Sequence, residues 1–389
     1  MRLEFKSSAI SLKALVALIL MALAPLTAQT PVQMHGRLHV SGNRIMDQNG
    51  KPVSLNGMAF FWSQWMPQYY NSGCVKWLAN DWKCSILRAS MAVEAGGYLS
   101  NPGPETAKVR AIVDAAIAEG IYVVVDFHET EDGASHLSQA KAFFKEVSAA
   151  YASVPNIIYE TWNEPLPGYS WSGVIKPYHQ ALINVIRAND PDNLILCGTR
   201  SWSQEVEEAS LDPIKDAANI VYTLHFYAAT HRQSLRDKAA KALANGIPLM
   251  VTEGGLSEAS GGGALDTSEA RRWVDFLKQN SISWMNWSVG DKSESSAALQ
   301  SGASGSGGWS LGQLTPSGTW VRNAIRQSSE VRSLVLMQSP FNRWSLTVLD
   351  GMAAGQRDAM GRDFGVLQAI TNPAGQLDTW TMKFDSPAK

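Results

Sequence analysis

Eight short, strand-like apolar runs separated by amphipathic stretches recur between residues 53 and 327, and no other feature restricts the fold so tightly. The runs are 53–58, 84–91, 121–127, 156–162, 193–197, 220–226, 248–252 and 282–288. Among the intervening stretches, 104–119, 137–151, 175–188, 233–245 and 268–279 carry apolar residues at three- and four-residue intervals, the spacing of a one-sided helix. Strands alternating with helices predict a parallel sheet with crossover connections. Eight is the number at which such a sheet closes, so the expected fold is α/β, a (β/α)8 or TIM barrel.

Flanking segments extend this core. Ahead of it, Leu38-His39-Val40 and an Asn49-Gly50 turn signal lie between residues 36 and 53 and predict a β-hairpin that plugs the barrel floor. Earlier still, Arg2, Lys6 and Lys13 precede an apolar run over 14–24 and the small-residue stretch Leu26-Thr27-Ala28. That layout predicts a signal peptide over 1–28, cleaved after Ala28, because the apolar run is shorter than the roughly 20 residues a spanning helix needs. The expected mature protein is exported, free of the membrane and monomeric, with the barrel over 29–328. Residues 329–389 show no clear period and form a C-terminal extension of unassigned fold; about 60 residues make a marginal domain.

Charge narrows the partners. Net charge is −2 and no dense Lys/Arg cluster supplies the basic footprint that nucleic acid requires. The 14 Trp are many, and flat indole faces are surfaces on which sugar rings stack, although most Trp fill cores. Cys74, Cys84 and Cys197 are an odd number, with no zinc-like spacing to the seven His. They are expected to be buried, unpaired thiols. His225 and His231 lack a nearby third ligand, so no metal and no cofactor is expected.

Two acidic residues close predicted strands at the barrel end where such folds place their chemistry. Glu164 follows the fourth strand in Tyr159-Glu160-Thr161-Trp162-Asn163-Glu164-Pro165, and Glu253 follows the seventh in Leu249-Met250-Val251-Thr252-Glu253-Gly254. Paired carboxyls from different strands are what hydrolysis of a glycosidic bond with retention demands: one protonated against the leaving oxygen, one ionised to attack the anomeric carbon. Arg88 reads as a group near this pair or as a buried ion pair with Glu160, which points the same way as Glu164 on a period-two strand.

Asn163-Glu164-Pro165 together with Glu253 resembles glycoside hydrolase family 5, in particular its bacterial endo-β-1,4-glucanases. The resemblance runs from about residue 35 to 327 through Gly57-Met58, Phe61-Trp62-Ser63-Gln64-Trp65, Leu87-Arg88-Ala89, Asp126-Phe127-His128, His225-Phe226-Tyr227 and Trp287-Ser288. It implies Glu164 as acid/base and Glu253 as nucleophile in a secreted cellulase acting on cellulose or carboxymethyl cellulose. It further implies that Asn163 holds the sugar 2-hydroxyl, that Arg88, His225 and Tyr227 surround the nucleophile, and that His128 lines the cleft. Trp65, Trp202 and Trp287 correspond to sugar-stacking residues, and Lys292 and Glu294 to groups that bind sugar hydroxyls.

This chain departs from the resemblance at three positions. Gly254 stands where many relatives carry Trp, which is expected to remove an aromatic wall beside Glu253; Phe127 also replaces a Trp, and Phe61 a sugar-binding His. The same chemistry on mannan, xyloglucan or mixed-linkage glucan is the alternative, and a barrel that binds polysaccharide without cutting it is a remote one.

Overall fold

The computed structural model describes residues 29–329 and, beyond them, four short strands. The signal peptide expected over 1–28 lies outside the described residues. A small hairpin comes first, β1 (His39–Ser41) with β2 (Arg44–Met46), and then eight parallel strands: β3 (Asn56–Phe60), β4 (Ile86–Ala92), β5 (Tyr122–His128), β6 (Ile157–Glu160), β7 (Ile195–Cys197), β8 (Ile220–Tyr227), β9 (Leu249–Gly255) and β10 (Trp284–Val289). They close in the order β10-β3-β4-β5-β6-β7-β8-β9, with β9 paired back to β10. This is the expected (β/α)8 barrel, strand for strand.

Helices cover the outside, and their ends follow local chemistry. Helix Pro102–Glu119 carries proline in its first turn and stops at Gly120, whose φ of +67° a side chain would resist. Asn71 caps helix Ser72–Asn80 by accepting from the Cys74 amide, and Asp266 caps Thr267–Gln279 by accepting from Glu269. All three cysteines are buried and unpaired, as expected.

Alternation along the strands explains where chemistry is placed. Inward-facing residues near the strand N-termini are apolar: Ile86, Tyr122, Val124, Ile158, Val221, Met250 and Met285 form one packed cluster. Two residues further along the same inward rows stand Arg88, Asp126, Glu160 and Thr223, all fully buried. These four strands, β4, β5, β6 and β8, therefore carry apolar side chains at their base and polar groups at their C-terminal ends. The outward rows, among them Leu87, Val123, Val125, Tyr159 and Cys197, belong to the separate cluster formed with the helices.

Leu38, Ile45 and Val53 join the basal cluster, so the N-terminal hairpin does plug the floor. Its turn is not where the sequence analysis put it. Ser41 pairs with Arg44 across Gly42-Asn43, while Asn49-Gly50 makes a second turn that brings Pro52 back to bridge Met46. Gly-Asn is itself a two-residue hairpin signal, outweighed in the sequence by the stronger Asn-Gly.

The C-terminal extension forms a separate unit from Gln327 onward. Its described parts are two antiparallel pairs, β11 (Leu334–Gln338) with β12 (Trp344–Val348) and β13 (Ala369–Thr371) with β14 (Leu377–Trp380). No helix among the described residues is long and apolar enough to cross a membrane.

Candidate active site

Arg88, on β4, organises the mouth of the barrel. Its guanidinium is fully buried and donates from Nε to Glu160 Oε2 (2.7 Å), from Nη1 to Glu253 Oε2 (3.0 Å) and from Nη2 to Asn163 Oδ1 (2.5 Å), while Nη2 also forms an ion pair with Asp126 Oδ2 at 2.9 Å. Burial disfavours its charge, but the carboxylates of Asp126, Glu160 and Glu253 outweigh that and raise its pKa further. Both readings of Arg88 thus hold together: it is an ion pair with Glu160 and a neighbour of Glu253.

Glu253 accepts on both oxygens, from Arg88 and, at 2.6 Å, from the Tyr227 hydroxyl. Its inward direction depends on an irregularity. Opposite β8, Leu224 pairs with Val251 but His225 pairs with Glu253, so Thr252 is an extra residue, and the register with β10 shifts over the same stretch. A bulge of this kind re-aims the side chains that follow it, and here Thr252 and Glu253 both reach barrel-interior partners.

Glu164 lies just past β6, its amide donating to the Glu129 carbonyl and its Oε1 2.9 Å from His225 Nδ1. Burial raises the Glu164 carboxyl above the usual range. One oxygen each of Glu164 and Glu253 and a nitrogen of His225 all lie within 4.8 Å of one another. Both His225 nitrogens already have hydrogen-bonding partners, Glu164 on one side and Thr252 on the other. Burial lowers His225 to about 4, so the ring is neutral at physiological pH.

His128 ends β5 with Nδ1 2.7 Å from Asp126 Oδ2 and its ring stacked parallel on Trp287 at 5.3 Å. Burial lowers His128 to about 4 and pushes Asp126 up to about 8 against the pull of Arg88. Above these groups opens a cleft lined by Phe61, Trp62, Trp65, Trp287 and Lys292 along with Glu164 and Glu253. Trp65 is 53% exposed and stacked on Trp62, a flat apolar face turned to solvent.

Trp202 is 45% exposed and sits in a left-handed turn, with φ of +58°, +57° and +58° at Ser201, Trp202 and Ser203. That turn is tied to the acidic segment: the Trp202 amide donates to the Pro165 carbonyl and the Ser203 hydroxyl to that of Asn163. Lys292 and Glu294 form a 2.6 Å ion pair at the cleft edge, with the Lys292 ammonium 5.0 Å above the Phe61 ring.

Every residue singled out from the sequence therefore stands at or around this mouth, with Arg88, Asn163 and His225 beneath the cleft surface. Sequence reasoning did not assign site roles to Asp126, Thr252 or Trp62. Period two from His128 could have found Asp126; Thr252 was hidden by the bulge.

One expectation is corrected. Gly254 borders the outer layer rather than the cleft: it pairs with Phe226, and a Cβ there would come within 2.8 Å of the Phe226 ring, which stacks on Trp273 at 4.2 Å. No aromatic wall beside Glu253 is lost, because Phe226 already occupies that space. Phe127 likewise packs outward on Tyr98, Phe143 and Phe144.

Comparison with known proteins agrees with this geometry. Residues 46–293 match the family described as cellulase (glycosyl hydrolase family 5). Endoglucanase N of Pectobacterium atrosepticum is 43% identical over 304 residues, covering 78% of this chain and 68% of that protein. Endoglucanase Z of Dickeya dadantii is 46% identical over 293 residues, covering 74% and 66%. The crystal structure of the catalytic domain of Thermobifida fusca endoglucanase Cel5A (E5) superposes with a TM-score of 0.74 at 37% identity, covering 77% of this chain and all of that one. The chain belongs to glycosyl hydrolase family 5, the cellulases, and is a glycoside hydrolase.

Proposed function

We propose that this protein is a retaining endo-β-1,4-glucanase that cuts internal bonds of cellulose-like glucans, with Glu164 as acid/base and Glu253 as nucleophile. The observation that carries the reading is the approach of the two carboxyls, whose oxygens lie within 4.8 Å. Retaining enzymes hold the pair about 5–5.5 Å apart, whereas inverting enzymes need about 6.5–9.5 Å to admit a water.

In the first step Glu253 attacks the anomeric carbon while the Glu164 proton passes to the leaving oxygen, so one C–O bond forms as the glycosidic C–O bond breaks. Water then attacks the same carbon, gives its proton to Glu164 and releases Glu253. Burial favours a protonated Glu164 at the outset. Arg88 and Tyr227 orient the Glu253 oxygens, and Asn163, whose buried Nδ2 has no protein partner, is positioned to donate to a sugar hydroxyl.

An open cleft walled by Trp65 and Trp62 suits a long chain entering sideways, the requirement for internal cleavage. The relatives are named endoglucanases, and a Thermobifida fusca Cel5A variant structure holds cellotetraose. The N-terminal sequence supports export, with action outside the cytoplasm on polysaccharide.

The test is viscosity and reducing-sugar release from carboxymethyl cellulose by the wild type and Glu253→Gln. Rapid viscosity loss in the wild type alone is expected. Loss on mannan or xyloglucan but not on the cellulose derivative would move the substrate assignment, and undiminished activity in the variant would remove Glu253 from its role.

A further inference from the structure

Glu94 and Glu129 follow the ends of the paired strands β4 and β5 and bury two carboxyls together beside the cleft. Glu129 is fully buried and Glu94 nearly so. One amide shows how closely they approach, because the Glu131 N–H donates to Oε1 of both, at 3.0 Å each. Glu94 Oε1 accepts a second amide, that of Thr130, at 3.0 Å. Glu94 Oε2 is buried and meets no N–H or hydroxyl of the described residues. Glu129 Oε2 lies 2.6 Å from His136 Nδ1, and among the described residues neither lysine nor arginine forms an ion pair with either carboxyl. The hydrogen of the contact between the two carboxyls therefore has to be one of their own.

We propose that Glu94 and Glu129 are a positioning pair that shares one proton, and that this proton fastens the segment Glu129–Glu131 to the end of β4. Adjacent carboxyls without a cation disfavour double ionisation. The two amides on Glu94 make it the anion: burial opposes its charge, but the Glu129 hydrogen and those amides outweigh burial and lower its pKa. Burial, then the bond to Glu94 and its charge, push Glu129 up to about 9. The fastened segment supports the site, since the Glu129 carbonyl accepts the Glu164 amide at 3.2 Å and Thr130 lines the cleft with Glu164. Loss of the proton leaves two buried anions side by side, which pushes the segment away from β4. The shared proton stands whatever the enzyme hydrolyses; its effect on turnover rests on the assignment of Glu164 as acid/base.

The titratable groups facing the pair supply no permanent positive charge. Glu131, on the fastened segment, adds negative charge that keeps the proton on Glu129. His136, in the short turn Gly133–His136, is a cation only when protonated. His128 on β5 is neutral, because burial lowers it to about 4. Tyr169 and, on helix Lys176–Arg187, Tyr178 are phenols held above their ordinary range, the first by its hydrogen bond to Asp132 and the second by burial. At alkaline pH the shared proton is what holds the carboxyls together.

Three measurements test the pair, all against Glu129→Gln, which keeps the shape and offers an amide hydrogen to Glu94. The infrared difference spectrum between wild type and variant at about pH 7.5 should show a protonated carboxyl in the wild type alone; loss of an ionised carboxylate in its place overturns the proposal. Melting temperatures from pH 5 to 9 give the linkage. Unfolded, Glu129 releases its proton near 4.3, whereas the folded pair keeps it up to about 9. The stability it contributes is therefore full below about pH 4 and is lost as pH rises toward 9. The melting temperature of Glu129→Gln minus that of the wild type should climb steadily over this range, and a flat difference means that no proton is shared. For turnover of carboxymethyl cellulose, kcat/KM of Glu129→Gln should stay within about twofold of the wild type at neutral pH, and the ratio of variant to wild type should rise above about pH 8. Glu129→Leu, which cannot fasten the segment, should lose about 10-fold, inside the 10²-fold that a 1 Å misplacement can cost. A ratio that does not change with pH, or a leucine variant as active as the wild type, removes the pair from positioning. A wild type inert on glucans would count against the proposed reaction, while the spectra and the melting temperatures still decide whether the proton is shared.

Discussion

The Tyr227 hydroxyl lies 2.6 Å from Glu253 Oε1, on the carboxylate oxygen that Arg88 does not hold. Burial and the adjacent Glu253 push the phenol pKa well above its ordinary value, so it remains a donor across the working pH range. In the proposed mechanism, negative charge leaves this carboxylate as the glycosyl bond forms and returns as it breaks. Tyr227→Phe should reduce kcat/KM by about 10²-fold, the scale of removing one preorganised donor from developing charge. Steady-state kinetics with an unchanged melting temperature would check it; a loss under twofold would show that Arg88 orients Glu253 alone.

Arg88 should behave differently, because it is structural as well as functional. Arg88→Met leaves Asp126, Glu160 and Glu253 buried without their shared cation. Removing one partner of a buried ion pair typically costs about 3–5 kcal/mol, so denaturant unfolding should detect the change as readily as an activity assay.

Trp65 and Trp202 are the exposed tryptophans of the cleft region, and little of the fold rests on their rings. Trp65→Ala should raise KM on long glucans several-fold while leaving stability within about 0.5 kcal/mol, the usual range for surface changes. A matched fall in kcat and melting temperature instead would mean that the ring supports the Phe61-Trp62 wall.

Acid stability should follow the buried histidines. His179, away from the cleft, is fully buried between the Thr161 hydroxyl and the Gly198 carbonyl, and burial lowers its pKa to about 4. Unfolded, the same imidazole titrates near 6.5, so the unfolded chain binds the proton more readily between those values. Stability from this residue is complete above about pH 6.5 and is lost as pH falls toward 4, by up to roughly 3 kcal/mol. Melting temperatures across pH 7 to 4 should fall more steeply for the wild type than for His179→Gln.

The outward setting of Gly254 yields a packing prediction. Gly254→Ala forces a methyl to within 2.8 Å of the Phe226 ring, itself fixed against Trp273. Overpacking of this kind costs about 1–3 kcal/mol, and thermal unfolding should show it without a specific change in KM.

Much of this architecture was legible because the signals repeat. Eight buried strands read as apolar runs, and their inward rows switch from hydrocarbon at Tyr122 and Val124 to charge at Asp126. The paired glutamates were legible because they end two such strands. What escaped the sequence depends on local register or on which face a residue takes. Gly42-Asn43 was passed over for Asn49-Gly50, Gly254 was assigned to the wrong face, and Thr252 shares the interior with its neighbour only because of a one-residue bulge. Strict period two cannot anticipate that extra residue.

That bulge makes β9 sensitive to its reading frame. Deleting Thr252 would restore an ideal ladder that still sets Glu253 opposite His225, but the hydroxyl that bridges His225 and Glu160 would be gone, leaving a barrel that folds around a severed polar network. Insertions and deletions in most of the connecting loops carry no comparable penalty, so the lineage of this enzyme is freer to change the length of its loops than to smooth this single kink.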